Sequence, residues 1–343
     1  MKNVVIKKYG GHDRLLLEEH PTPLPKKNHL LIKTKAIGVN YADICVRWGI
    51  YESAKKLVGL PITPGFEFSG EVFHVGPEVD HFKKGDKVFG LIFFGAYSEF
   101  VLVPDSQLFR IPEGVSFEQA AGFPTIFLTA YHALFQNIIV REKMKILIHS
   151  AAGGVGSALT QLGKIKGCQV TGVVGRPQKV EVAKSLGADH VIDKSKKGLW
   201  SEAKKISPEG FDVIFDANGF STLKKSYHHL KPTGKLVSYG FHSMLPKKGG
   251  KLNYFKLLLN YLKTPSFNPI QMSSSNKSIV TFNLSFLFHR NDLLQEAMRD
   301  LIPWVKSKKI LFPPLTSFPL NNVSLAHKSI ESGNSVGKII LIP

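Results

Sequence analysis

The stretch HSAAGGVGSALTQLGK, residues 149–164, concentrates residues that can bind a ligand through backbone alone. Residues 145–148 read as a short buried strand and AAGGVG as a turn. Val155, Ala158, Leu159 and Leu162 then recur at helical spacing as one apolar face. A glycine-rich turn from a strand into a helix lets backbone N–H groups approach a pyrophosphate, and the helix dipole favours the charge there. The spacing is Ala151-x-Gly153-x-x-Gly156, with Gly154 and Val155 inside it, a dinucleotide fingerprint with alanine in first place. A merely tight turn would use similar residues; the motif gains its weight from sitting in an alternating strand–helix unit.

In NAD-binding chains an acidic residue about 20 positions on holds the ribose 2′-hydroxyl. Here the next strand, QVTGVVG, runs into GRPQK, and the first acidic residue is Glu181, inside the following helix. Arg176 and Lys179 stand where a 2′-phosphate would lie, so the expected cofactor is NADPH. The plain alternative is two surface cations in a basic region.

The elements that must position this turn follow from the wider pattern. The first 120 residues contain short runs such as VVIKKYG, HLLIKTKAIGVN, GEVFHVG, DKVFGLI and YSEFVLV, punctuated by Gly and Pro, and predict a mostly antiparallel β unit. From about Ala120 helical stretches alternate with apolar strands (KILIHS, QVTGVVG, HVIDKS, FDVIFDANG, GKLVSYG), which predicts a doubly wound parallel sheet. At 343 residues two domains are expected. With 43% hydrophobic and 21% charged residues the chain reads as a soluble globular protein. The longest apolar run, FGLIFFGAY, falls far short of the roughly 20 residues of a membrane span. The N-terminus lacks a signal-peptide core, and two cysteines, Cys45 and Cys168, are too few for a disulfide framework, so a cytoplasmic location is expected. The net charge of +19 is uneven: +1 over residues 1–123, +14 over 124–265 and +4 over 266–343. That field attracts phosphate in a cofactor, a nucleic acid or a membrane surface, or it is a solvated lysine-rich face.

Over nearly its full length the chain resembles the medium-chain dehydrogenase/reductase superfamily. The resemblance is carried by AAGGVG, GVNYADICVRWGIY (38–51), PGFEFSGEVFHVG (64–76), FKKGDKVFG (82–90), GAYSEFV (95–101) and FLTAYHAL (127–134). Within it the chain is similar to the zinc-free quinone oxidoreductases, in the branch of the synaptic-vesicle membrane protein, on LVSYG, a long following insert and NKSIVTFNL (276–284). The resemblance implies an α/β architecture: a GroES-like β-rich substrate domain from residues 1–123 and 266–343, and a Rossmann-type NADPH-binding domain over 124–265. It also implies a homodimer through the edge of the cofactor sheet.

Zinc-dependent members carry a Cys where this chain has Asn40 and a His-Glu pair where it has Phe66-Glu67. With Phe66 and Asn40 at two of the three ligand positions, no catalytic metal is expected. Without a Lewis acid, alcohol oxidation is disfavoured, and hydride transfer to an electron-poor quinone or α,β-unsaturated carbonyl is favoured. The resemblance places Asn40 towards the nicotinamide, where it would hydrogen-bond the substrate oxygen. Tyr51 would bind substrate or deliver a proton, or would simply pack at a strand end. It further implies cofactor contacts by Thr129, Lys194, Asn218, Gly219, Gly240, Phe241, Phe282 and Leu284, with Lys338 towards the adenosine phosphate.

The insert 242–269 has lysines at 247, 248, 251, 256 and 263 and no acid, with Leu252, Phe255, Leu258, Leu259 and Leu262 at helical spacing. Such a helix lies on an anionic membrane or packs its apolar face into the protein. Peripheral anionic-lipid binding on a Rossmann scaffold with little turnover is therefore an alternative function. No nucleic-acid motif accompanies the charge, and no specific nucleic-acid partner is expected.

Overall fold

The computed structural model describes residues 1–244 and 253–343. The chain begins with an antiparallel pair, β1 (Lys2–Val5) and β2 (Leu16–Glu19). It continues through β3 (His29–Val39), β4 (Glu67–Val75), β5 (Lys87–Leu91), β6 (Phe100–Pro104) and β7 (Leu108–Arg110). These strands pair antiparallel. Their inward side chains, among them Ile32, Phe68, Val72 and Val88, build one core with Tyr97 and Val101. The predicted β unit is present.

The chain then forms β8 (Lys145–His149), β9 (Gln169–Val174), β10 (His190–Asp193), β11 (Phe211–Asp216), β12 (Leu230–Ser238) and β13 (Ser278–Thr281). All pair parallel in the order β10-β9-β8-β11-β12-β13. Strands covered by helices on both faces must be apolar throughout, and Ile146, Leu147 and Ile148 are fully buried. The order reverses between β8 and β11, the switch point at which doubly wound sheets bind ligands. The chain finally returns to the first domain as β14 (Leu315–Pro319) and β15 (Lys338–Ile342), the latter antiparallel to β3.

The parallel sheet extends to Thr281, past the division expected at residue 265, because β13 pairs with β12. The helix Asn291–Lys306 also buries Ala297, Met298 and Leu301 in the same core as Phe127 and Ile148. Only four residues, SIVT, signal that last strand, and the polar run SSSNK before it reads as a loop. Among the described residues no helix is long and apolar enough to cross a membrane. Of the insert, Lys247, Lys248, Lys251 and Leu252 lie outside the described residues.

Close packing of the glycine turn is specific. A Cβ on Gly156 would lie 2.2 Å from the Ser150 carbonyl oxygen, and one on Gly172 would lie 2.9 Å from Ala151 Cβ. Ser150 itself has φ of +58°, a left-handed conformation held by the surrounding turn. Replacing Gly156 by Ala forces the helix off β8; a loss of about 1–3 kcal/mol is expected by chemical denaturation. The same change at Gly85, whose added Cβ meets nothing within 4 Å, should carry only the backbone strain of its φ of +89°.

Candidate functional site at the domain cleft

The helix Gly154–Ile165 starts at the carboxyl end of β8, with Gly153 as its N-cap and no side chain capping it. The first-turn N–H groups of such a helix have no intrahelical partner and suit an anion. Gly153 forms a parallel bridge to Gly337, so the chain entering β15 touches the glycine turn.

At the end of β9, Arg176 NH2 and Lys179 Nζ donate to the backbone carbonyls of Ser332 (3.5 Å) and Gly333 (3.1 Å). Burial and the neighbouring Arg176 guanidinium lower the Lys179 pKa, so the two cations are held together without a carboxylate between them. The Lys194 side chain lies over Gly175, with its Cε 3.5 Å from where a Cβ would stand. Three of the expected cations thus converge on the ends of β9 and β10.

At the ends of β11 and β12, Asp216 accepts from the N–H groups of Asn218 (2.8 Å) and Gly219 (3.1 Å) through Oδ1 and from Ser226 Oγ (2.8 Å) through Oδ2. Phe241 packs against Gly219 and stays 45% exposed, and Gly240 lies over Ala217. At this edge several buried polar atoms have no hydrogen-bond partner among the described residues: His149 Nδ1 at the end of β8, Asn218 Nδ2 after β11, and Ser238 Oγ and Tyr239 OH at the end of β12. A buried donor or acceptor left unmade is costly. Their placement along the carboxyl ends of parallel strands fits a polar dinucleotide crossing the switch point.

On the substrate side, Asn40 caps the helix Tyr41–Arg47 and is only 8% exposed. Its Nδ2 donates to Glu67 Oε1 (2.8 Å), and its Oδ1 accepts from Lys338 Nζ (2.6 Å). Lys338 Nζ also lies 2.6 Å from Glu67 Oε1, and Glu67 Oε2 accepts from the Thr125 N–H (2.7 Å). Lys338, expected towards the adenosine phosphate, thus directs its ammonium into the cleft floor, buried at 3% exposure. The ammonium fixes the Asn40 amide with oxygen towards the lysine, leaving one Nδ2 hydrogen uncommitted.

Asp43 holds this floor in place. Its carboxylate accepts from the N–H groups of Asn40 (2.7 Å) and Gly65 (3.0 Å) and from Tyr97 OH (3.0 Å). Burial pushes its pKa up to about 7 against those three donors. Tyr97 OH also contacts His327, whose ring meets the fully buried Arg47, and Arg47 pairs with Glu331 at 2.5 Å. Burial keeps His327 neutral, far below the usual histidine range.

Tyr51 packs against Phe66 and Phe94, and Phe288 joins the same cluster. Its hydroxyl donates to Asn283 Oδ1 (2.9 Å), and burial raises its pKa to about 12. Thr129, 8% exposed, donates its hydroxyl to the Thr125 carbonyl at 2.6 Å. Phe282 meets the His132 ring edge-on, and Leu284 lines a small pocket of about 40 Å³ with Leu128, Phe288 and Arg290. Glu67, Thr125, Asp43 and Asn283 were not expected as site residues. Glu67 and Lys338 had a legible signal, since each is a single charge inside an apolar strand, FEF and GKIILI.

Matches to known proteins agree with this fold. Residues 26–113 match the alcohol dehydrogenase GroES-like domain, and residues 154–275 match the zinc-binding dehydrogenase family. The synaptic vesicle membrane protein VAT-1 homolog of Danio rerio is 35% identical over 339 residues, 98% of this chain and 69% of that protein. The quinone oxidoreductase of Homo sapiens is 30% identical over 353 residues, covering 100% of this chain and 98% of its own. The crystal structure of Escherichia coli quinone oxidoreductase complexed with NADPH superposes with a TM-score of 0.86 at 28% identity, covering all of both chains.

The buried Lys338–Glu67 pair gives a direct test. Lys338→Met leaves the Glu67 carboxylate uncompensated, and a loss of about 3–5 kcal/mol is expected in urea unfolding. Adding Glu67→Gln should recover a substantial part of that loss, because both charges are then gone.

Proposed function

This chain belongs to the medium-chain dehydrogenase/reductase superfamily, and on that premise we propose that it is an NADPH-dependent reductase of quinones or α,β-unsaturated carbonyl compounds that works without zinc. The carrying observation is the pairing of an uncapped helix start at the glycine turn with Arg176 and Lys179, which meet backbone carbonyls rather than a carboxylate. NADPH, when bound, supplies the hydride.

The residues to hold it are the first-turn amides of Gly154, Val155 and Gly156 for the pyrophosphate, and Arg176 and Lys179 for the 2′-phosphate. Asn218 and Tyr239, with their unmatched polar atoms, serve the centre of the cleft. The proposal retains Thr129, Lys194, Gly219, Gly240, Phe241, Phe282 and Leu284 as neighbours of the cofactor. Lys338 acts there through Asn40 and Glu67.

The remaining Asn40 N–H is a donor held in place by Lys338 and Glu67, and it would meet the carbonyl oxygen of an acceptor. Phe66, Phe94, Phe288 and Tyr51 supply an aromatic wall that excludes water and suits a flat, conjugated acceptor. Tyr51 stays protonated throughout the working pH range, since burial raises its pKa, and its hydrogen bond to Asn283 holds the wall closed. Phe66 and Asn40 offer no zinc ligand, and the Lys338 ammonium beside Glu67 repels a cation. The open edge of β13 is the surface through which a homodimer would extend the parallel sheet.

Tryptophan-fluorescence titration tests the reading. NADPH should bind more tightly than NADH, and Arg176→Ala with Lys179→Ala should weaken NADPH by about tenfold or more while leaving NADH nearly unchanged. Equal binding of the two cofactors by the unaltered protein would remove the NADPH assignment.

A further inference from the structure

The segment that leads into β15 touches both ends of the cleft. The helix Val323–Glu331 stops where Gly333 takes a left-handed φ of +67°, and the Gly333 N–H donates to the Ile330 carbonyl at 3.1 Å. Ser332 Oγ ties the same turn, donating to the Ser329 carbonyl (2.8 Å) and accepting from the Asn334 N–H (3.0 Å). The carbonyls of Ser332 and Gly333 thereby face the end of β9, where they receive Arg176 and Lys179. Further along, Gly337 meets the glycine turn and Lys338 enters the cleft floor.

The last helical residue anchors this segment. The Glu331 side chain is only 4% exposed. Its Oε1 accepts from Arg47 Nη2 at 2.5 Å and from Trp48 Nε1 at 3.1 Å, and its Oε2 meets His12. Arg47 is fully buried and braced in turn by His327. A carboxylate held on three sides fixes the position of its neighbour Ser332.

Electrostatics gives that anchor a use. Arg176 and Lys179 repel one another, and what draws them together is the end of a helix whose last carbonyls carry roughly half a negative charge. A partial charge orients cations without neutralising them. Guanidinium and ammonium each offer several N–H donors, so one bond apiece to a carbonyl leaves the others for a phosphate. A carboxylate in the same place would occupy both cations and repel the phosphate.

We propose that Glu331 is a positioning residue for cofactor choice: locked to Arg47 in the β-rich domain, it sets the Ser332 and Gly333 carbonyls that hold Arg176 and Lys179 ready for a 2′-phosphate. The proposal rests on the NADPH reading and deepens it, because the cations belong to one domain and their orientation comes from the other.

Calorimetric titration of the full chain with NADPH and with NADH tests it; Trp48 donates to Glu331, so fluorescence would respond to the substitution itself. Glu331→Ala should weaken NADPH about fivefold, the order expected when long side chains lose their preorganisation, and leave NADH unchanged. Glu331→Gln keeps an oxygen for Arg47 and Trp48 and should restore most of the preference. In the Arg176→Ala, Lys179→Ala background, Glu331→Ala should have no further effect on NADPH. Arg47→Met with Glu331→Met strands no buried charge and should show the same loss if the alanine variant fails to fold. Should that pair fail too, Ser332→Gly, which removes only the two side-chain bonds of the turn, should lower the preference about twofold. An unchanged preference for NADPH in a folded variant, or an equal loss for both cofactors, would overturn the proposal and leave the NADPH assignment standing. Equal binding of NADPH and NADH by the unaltered protein would remove both.

Discussion

A lysine ammonium buried between a carboxylate and an amide organises the cleft. Lys338 on β15, Glu67 on β4, Asn40 before the helix Tyr41–Arg47 and the Thr125 N–H meet within hydrogen-bonding distance. Burial of such a pair adds little net stability, since removing both ions from water costs nearly what their attraction returns. What it does is forbid alternatives. A slip of β15 by one residue would turn Lys338 to the opposite face and strand Glu67 alone in the core. Four separate chain segments are therefore held in one register, and Asn40 is oriented by that register rather than by its own rotamer preference.

The rest of the cleft follows a division of labour along its length. The end near β9 is cationic and answered by backbone carbonyls, so it is receptive to an anion without being neutralised beforehand. The centre carries buried polar atoms that find no partner among the described residues. The far end is aromatic, and its one phenol is committed to Asn283. A ligand with a phosphate at one end and a flat, weakly polar ring at the other matches that gradient, and the order of features is set by which parallel strand ends where.

Much of this could be read from the sequence. The glycine turn was legible because its residues are contiguous and its strand–turn–helix context is local. The parallel sheet was legible from strands such as KILIHS that are apolar throughout. The extent of that sheet was less so: SIVT carries too few residues to announce a strand, and only pairing with β12 reveals it. The role of Lys338 was also hidden. Its neighbours in sequence are apolar, and the partners that hold it lie 271 and 298 positions away, in Glu67 and Asn40. Long-range electrostatic partnerships of that kind leave only an isolated charge in an apolar strand as their trace. The helix Tyr254–Leu262 was half legible: periodicity gave its apolar face, but not that Phe255, Leu258, Leu259 and Leu262 stay exposed.

The return of the chain to its first domain has a consequence for how the protein is made. β15 pairs with β3, at the opposite end of the sequence, and on the way it touches the glycine turn through Gly337. During synthesis the N-terminal β unit therefore emerges with the edge of β3 beside β15 still open and Glu67 without its ammonium partner. The parallel-sheet domain can close earlier, since its strands are contiguous in sequence. Completion of the first domain waits for β15, so a chain lacking that strand would expose a strand edge and a buried carboxylate together.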